Sequence, residues 1–344
     1  MNGVSRLLFL TDAWPPQVNG VAITSKIHVR HLNESGTTTK VVSPEMFAGM
    51  PCPGYREISL SFVTPSIIGR MIDDYAPDFI HVNTEGPIGI AGVIACRRLG
   101  LRFTTSFRTK FPEYLKLRCG VPLDWTYGLM RRFHNAGSGC LVPTASLRDE
   151  LAAWGFRNLR HWSRGVDHGL FRPRQAAHLG FPRPIFLAVG RVAVEKNLTA
   201  FLDLDLPGSK VVVGDGPARV SLAKTYPAVH FLGHLPIEAL ANAYAAADVF
   251  VFPSLTDTFG NVILEALASG APVAAFPVTG PRDIITDPGV GVLDKDLRKA
   301  ALSALRLSRE AAREFALQFT WERSVAEFVS NLTPARDVSF RYAA

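Results

Sequence analysis

Two loops carry most of the chemistry legible in the chain. Gly190-Arg191-Val-Ala-Val-Glu195-Lys196-Asn197 follows a short apolar run and sets an arginine and a lysine five residues apart. A planar guanidinium and a compact ammonium on one loop suit a diphosphate, the first through paired hydrogen bonds and the second as a point charge. The plain alternative is a solvated basic loop. The second is Pro253-Ser-Leu-Thr-Asp257-Thr-Phe259-Gly260-Asn261-Val-Ile-Leu-Glu265-Ala-Leu-Ala-Ser-Gly270. An apolar run ends at Pro253, a glycine-containing loop follows, and a helix opens with Glu265 in its second turn. Asp257 and Glu265 flank the N–H groups of the helix start. Carboxylates accept from hydroxyls and N–H groups donate to oxygens, so the segment can hold a polyhydroxylated ligand. The alternative is a capped helix with surface acids.

Weaker candidates surround these. Asn19-Gly20 ends a turn-rich loop before a helix, where free N–H groups attract phosphate and glycine admits close approach; an ordinary turn explains it equally well. Gly214-Asp-Gly216-Pro217 matches part of a dinucleotide fingerprint, but Arg219 stands where the third glycine belongs, so it reads as a turn near a nucleotide. His81 and Glu85 follow an apolar run and are expected to point into a cleft, although a lone histidine is more often structural. Asp203-Leu-Asp205 and Asp294-Lys-Asp296 read as chance pairs rather than metal loops, so no divalent metal or other cofactor is expected. No Ser-His-Asp or Cys-His arrangement is legible.

These loops need strands to position them. In the first half, Leu7–Thr11, Lys40–Ser43, Phe79–Val82, Arg102–Ser106 and Gly139–Pro143 read as strands, with helical spacing between them. The pattern restarts after residue 167 with Pro184–Gly190, Lys210–Gly214, His230–Gly233, Val249–Pro253 and Pro272–Phe276. Strands alternating with helices predict parallel sheets covered on both faces. The turn-rich stretch Ser163–Pro173 separates the two series, and Arg298–Leu332 reads as helical with a weak point at Thr320. The expected division is an acceptor-binding domain over 1–166, a nucleotide-sugar-binding domain over 167–318, and a tail over 319–344 packing back on the first. Such α/β units bind ligands at the carboxyl ends of their strands.

Composition narrows the class. The chain has 344 residues, 47% hydrophobic and 19% charged, which excludes a disordered chain and fits two domains. The formal net charge of +7 lies wholly in residues 1–166, with 19 Lys+Arg against 12 Asp+Glu; the remainder balances at 18 and 18. Within that half, Arg97 to His134 holds nine cations against Glu113 and Asp124, interleaved with Phe103, Phe107, Phe111, Tyr114, Trp125, Tyr127 and Phe133. Such a segment suits an anionic membrane surface; the alternative is a solvated basic face whose aromatics are core. The four cysteines lack metal or redox spacing and suit a reducing compartment. No run approaches a membrane span, and the N-terminus lacks the pattern of a signal peptide. The expected location is cytoplasmic, peripheral on the inner face of the membrane. No nucleic-acid motif is present, and nothing signals an oligomeric state.

Taken in order, these motifs resemble glycosyltransferase family 4, whose members retain anomeric configuration and have the GT-B fold, two Rossmann-like domains facing a central cleft. The likeness is carried by Pro15-Pro16-Gln17-Val18-Asn19-Gly20-Val21, Gly165-Val-Asp167…Phe171-Arg-Pro173, Gly190-Arg191…Glu195-Lys196-Asn197, Gly214-Asp215-Gly216-Pro217 and Asp257–Gly270. It implies that Gly20 approaches the donor phosphate and that Arg191 and Lys196 stabilise the leaving diphosphate. Asp257, Phe259, Gly260 and Asn261 would meet sugar hydroxyls, Glu265 the ribose, and the loop at Gly233-His234 the base. The diphosphate itself would take the acceptor's proton.

Two departures stand out. The family's E-x7-E pattern appears as Asp257-x7-Glu265, a form also found in relatives that glycosylate lipids. Arg108, in Ser106-Phe107-Arg108-Thr109, stands where relatives have a histidine that touches the transferred sugar. Gly280-Pro281-Arg282-Asp283 and Arg132-Phe133-His134-Asn135-Ala136-Gly137 are similar to the bacterial glycolipid-forming members. The resemblance implies hexosyl transfer from a nucleotide sugar, UDP-glucose or UDP-glucuronate first, to a lipid such as diacylglycerol. The catalytic residues would be Arg108, His81, Arg191 and Lys196. GDP-mannose-dependent or polysaccharide-directed transfer is the alternative, and a nucleotide-sugar- or membrane-binding protein with catalysis impaired by Arg108 is another.

Overall fold

The computed structural model describes residues 6–17, 19–52, 55–175 and 177–336. It divides into two compact units. The first holds the described residues up to Thr109, Pro122–Ser163 and those from Trp321 on; the second holds Lys110–Val121 and Arg164–Thr320.

The first unit is built on a parallel sheet of β1 (Arg6–Leu10), β2 (Thr38–Val42), β5 (Phe79–Val82), β6 (Thr104–Ser106), β7 (Gly139–Val142) and β8 (Leu159–His161), in the order β2-β1-β5-β6-β7-β8. A hairpin, β3 (Gly49–Cys52) and β4 (Tyr55–Ser61), lies outside it. The continuous apolar run of β1 is explained by helices on both faces. Leu8 and Leu10, with Ile80 and Val82, join one core with Ile68, Ile72 and Ile88 from the helices Pro65–Tyr75 and Pro87–Arg98. Leu7 and Phe9 turn to the other face, packing with Trp162 and with Val325 and Phe328 of the helix Trp321–Asn331.

The second unit repeats the plan with β9 (Ile185–Val189), β10 (Ser209–Val213), β11 (His230–Gly233), β12 (Val249–Phe252), β13 (Val273–Ala275) and β14 (Gly291–Leu293), in the order β11-β10-β9-β12-β13-β14. Ile185, Leu187, Phe250 and Phe252 face one core while Phe186, Ala188, Val249 and Val251 face the other. In the stretch read as a helical tail there are three helices, Leu297–Ala304, Arg309–Ala316 and Trp321–Asn331, and residues 337–344 fall outside the described chain. No described helix is long and apolar enough to cross a membrane.

Candidate active site

In the second unit the two sequence-predicted loops meet. Chain leaving β9 passes Gly190 and Arg191 into a 3-10 turn, Val194–Lys196, closed by Asn197 in the left-handed region at φ 50°. The Asn197 side chain donates to Pro253 O at 3.0 Å, and Thr256 Oγ1 donates to Glu195 O at 3.2 Å. These bonds lock the loop after β9 to the loop after β12. Lys196 Nζ then donates to Asp257 Oδ1. Burial discourages a charge on Lys196, but Asp257, with Tyr114 and Glu195 nearby, outweighs it and raises the pKa above the usual lysine range.

Asp257 uses only one carboxylate oxygen in this way. Its Oδ2 is buried with no hydrogen-bond partner, and so is Asn261 Oδ1. Buried polar atoms without partners are uncommon in folded proteins, and these two acceptors on one loop have capacity to accept from hydroxyl groups. Gly260, at φ 98°, caps the helix Asn261–Ala268, whose first N–H groups have no intrahelical acceptor. Phe259 lies in the core, its carbonyl against Gly280, where a Cβ would come within 2.5 Å of it. Glu265 accepts from Tyr244 Oη at 2.8 Å; burial raises its pKa to about 7, with the Tyr244 hydrogen bond opposing the rise.

The glycines of the partial fingerprint have a structural reason. A Cβ on Gly214 would sit 1.9 Å from Gly190 O, and one on Gly216 would sit 2.4 Å from Val192 O. Gly214 N donates to Gly233 O at 2.8 Å, so the ends of β9, β10 and β11 converge backbone to backbone. His234 follows, exposed, close enough to Asp215 to help hold its carboxyl below the usual range, after the Gly216 N–H and Arg219.

In the first unit Gly20 opens the helix Gly20–Glu34, capped by Asn19, whose side chain accepts from Ala22 N at 2.9 Å. Val18 of the motif lies outside the described residues. A Cβ on Gly20 would meet nothing within 4 Å, so the unit's own packing does not demand glycine there. The loop after β5 is tied to the loop after β1 by Asp12, which accepts from Ile88 N at 2.8 Å and from Thr84 Oγ1 at 2.8 Å.

His81, expected to point into a cleft, is instead buried within the first unit. Side chains of β5 alternate between faces, and His81 falls on the face of Phe79, opposite Ile80 and Val82. It is fully buried, its ring centroid 4.8 Å from that of Phe328 and 5.4 Å from that of Phe9, with its nitrogens 2.9 Å from Thr104 Oγ1 and 3.3 Å from Ser106 Oγ.

Arg108 is buried as well. Its guanidinium donates to Thr24 Oγ1 at 2.6 Å and to Asn83 Oδ1 at 3.4 Å, and its central carbon lies 5.1 Å from the Trp162 ring centre. Burial lowers its pKa to about 10 against the pull of Glu85, so it stays charged at neutral pH.

A histidine that sequence reasoning gave no role pairs with Glu85. His134 Nε2 lies 3.1 Å from Glu85 Oε1 and Nδ1 lies 2.9 Å from Thr105 Oγ1. Burial opposes its charge, but Cys140 and Glu85 together raise the pKa to about 10. Glu85 Oε2 is buried without a hydrogen-bond partner. Nothing in the spacing of residues 49 apart announces this pair.

The basic segment is not one patch. Phe103, Phe107, Tyr127, Arg108 and Lys110 are buried, Arg118 binds Glu195, and Arg102 binds the carbonyls of Pro334 and Arg336. Trp125 at 64% and Leu129 at 53% exposure, with exposed Arg132, share the outer face of the helix Leu123–His134.

Two doubly covered parallel sheets, each of Rossmann-like order, make up the GT-B fold. Residues 18–170 match the model described as Glycosyltransferase Family 4, and residues 183–309 match Glycosyl transferases group 1. The chain is 32% identical to a GDP-mannose-dependent alpha-mannosyltransferase of Mycolicibacterium smegmatis, across 92% of this chain and 94% of that one. It is 27% identical to the alpha-monoglucosyldiacylglycerol synthase of Streptococcus pneumoniae, across 87% and 78%. Among solved structures it superposes on sucrose-phosphate synthase from Thermosynechococcus elongatus with a TM-score of 0.76 and 19% identity, covering 94% and 97%. The chain belongs to glycosyltransferase family 4, and it is a glycosyltransferase.

Proposed function

We propose that the protein moves a hexosyl unit from a nucleoside-diphosphate hexose to a membrane lipid, with retention of configuration and without a metal. The observation that carries this reading is the Lys196–Asp257 pair with two buried, unpartnered oxygens, Asp257 Oδ2 and Asn261 Oδ1, beside it. Lys196 and Arg191 would offset the charge growing on the diphosphate as the bond from the sugar C1 to its oxygen breaks. The acceptor hydroxyl would bond to C1 on the same face and pass its proton to the departing diphosphate. Asp257 and Asn261 would receive the hexose hydroxyls, Glu265 the ribose, and Gly20 would give the phosphate room.

A lipid acceptor is supported by the name of the diacylglycerol-directed relative and by the outer face of Leu123–His134. There Trp125, Leu129 and Arg132, at helical spacing, combine an interfacial aromatic, an aliphatic and a cation. This suits peripheral association with the cytoplasmic leaflet, whose anionic lipids attract Arg97, Arg98 and Arg132. The name of the mannosyltransferase relative, matched over nearly the whole chain, supports GDP-mannose as the alternative donor to UDP-glucose.

Purified protein, labelled UDP-glucose or GDP-mannose, and diacylglycerol vesicles with and without anionic lipid provide the test, with excess EDTA in a parallel set. An α-linked glycolipid formed equally well in EDTA is the expected product. Turnover only on a soluble sugar would overturn the acceptor, a β-anomer the stereochemistry, and EDTA inhibition the metal independence.

A further inference from the structure

Arg118 belongs by sequence to the basic segment assigned to an acceptor membrane, yet it does not serve that surface. The segment Lys110–Val121 packs with the second unit, its helix Phe111–Cys119 against the turn Val194–Lys196. There Arg118 Nη2 donates to both carboxylate oxygens of Glu195 at 2.7 Å. The Glu195 side chain is only 1% exposed. Arg191 Nε stands 4.0 Å from the same carboxylate, and Lys196 is the next residue.

Glu195 thus plants a buried negative charge between the two cations read as diphosphate ligands. Left alone, a buried carboxylate seeks the nearest cation. Arg191 is that cation, and a tightened Arg191–Glu195 pair would draw the guanidinium from the donor and cancel its field. Arg118 satisfies the carboxylate first. With it, the cluster Arg118, Arg191, Glu195, Lys196 and Asp257 carries one net positive charge; without it, none.

We propose that Arg118 is a positioning residue for the donor diphosphate, brought to the second unit by Lys110–Val121 to neutralise Glu195 and hold Arg191 and Lys196 available to the leaving group. The inference rests on the nucleotide-sugar reading of this loop and adds a residue and a role to it.

The test measures UDP and GDP affinity by calorimetry. Arg118→Met is expected to weaken the preferred diphosphate about tenfold, the effect of one unit charge at second-neighbour distance in a partly buried site, while binding to anionic vesicles stays unchanged. Arg118→Lys should recover part of the loss. Arg118→Met combined with Glu195→Gln should recover most of it, because no carboxylate then competes for Arg191; a merely structural role would make the double variant worse. Should Arg118→Met fail to fold, Glu195→Gln alone decides: tighter diphosphate binding supports the role, and weaker binding overturns it. Wild-type affinity in Arg118→Met, or loss of vesicle binding instead, overturns this inference while leaving the donor reading intact. A wild-type protein that binds neither diphosphate overturns the donor reading, and this inference with it.

Discussion

Lys196 and Arg108 are both cations beyond a central strand of their own sheet, Lys196 after β9 and Arg108 after β6, and they are treated in opposite ways. Lys196 is held by a carboxylate, which raises its pKa above the usual range, and that carboxylate keeps a second oxygen unpartnered. Arg108 is held by a hydroxyl, an amide and an indole face, and burial lowers its pKa to about 10. Two cations at strand ends thus differ in what surrounds them. One sits among groups with capacity left for a ligand, and the other is bound into a buried network of its own unit.

The sharpest way to break the contrast is Lys196→Met. Transfer should fall on the order of 10²–10³-fold, as for loss of a preorganised donor to a developing negative charge, with the fold retained by circular dichroism. A loss below tenfold would remove Lys196 from the reaction.

His134→Gln comes next. It strips Glu85 of a buried partner and should cost about 3 kcal/mol in urea unfolding at pH 7. The sign with pH is definite. The folded-state pKa of His134, about 10, exceeds its unfolded value near 6.5. Its stabilisation is therefore complete below about pH 6.5 and fades as pH rises through about 10. The variant should lack that alkaline decline.

Arg108→Met should cost about 2 kcal/mol, the range for hydrogen bonds from a charged donor. Arg108→Lys should recover less than half, since an ammonium cannot reproduce the fork shared by Thr24 and Asn83. A variant as stable as wild type but dead in transfer would place Arg108 with Lys196 and erase the distinction.

The smallest effect concerns Glu265. Its folded pKa, about 7, lies above the ordinary carboxyl value, so the folded chain holds a proton the unfolded chain has lost. Stability should fall by about 1–2 kcal/mol as pH rises from about 4.5 to 7, after allowing for water at this half-buried side chain. Glu265→Gln should flatten that slope. If the ionised carboxylate accepts from the ribose, diphosphate-nucleoside binding should tighten across the same interval, and only in the wild type.

Much of this was readable beforehand. The strands expected at Phe79–Val82 and His230–Gly233 match β5 and β11, and most others agree within a residue or two, because buried parallel strands are continuous apolar runs ending in turn formers. The short strands β8 and β14 and the hairpin β3–β4 escaped. β8 and β14 have only three residues each, and Gly49 and Pro51 weaken the strand signal of β3. Arg191, Lys196, Asp257 and Asn261 can be singled out as candidates because their loops follow strands directly. The orientation of His81 is not legible from its position at a strand end alone; period-two alternation sends it inward with Phe79.

The sequence by itself determined the two α/β series, the family and the pair of ligand-ready loops, since these depend on local periodicity and on residue types at short spacing. Tertiary structure alone decided which charges meet. His134 with Glu85 and Arg118 with Glu195 join residues 49 and 77 apart in the chain. An ionic contact acts across space and leaves no period along the chain, so only the folded chain could divide the nine cations of Arg97 to His134 into buried supports, an exposed face and one partner for Glu195.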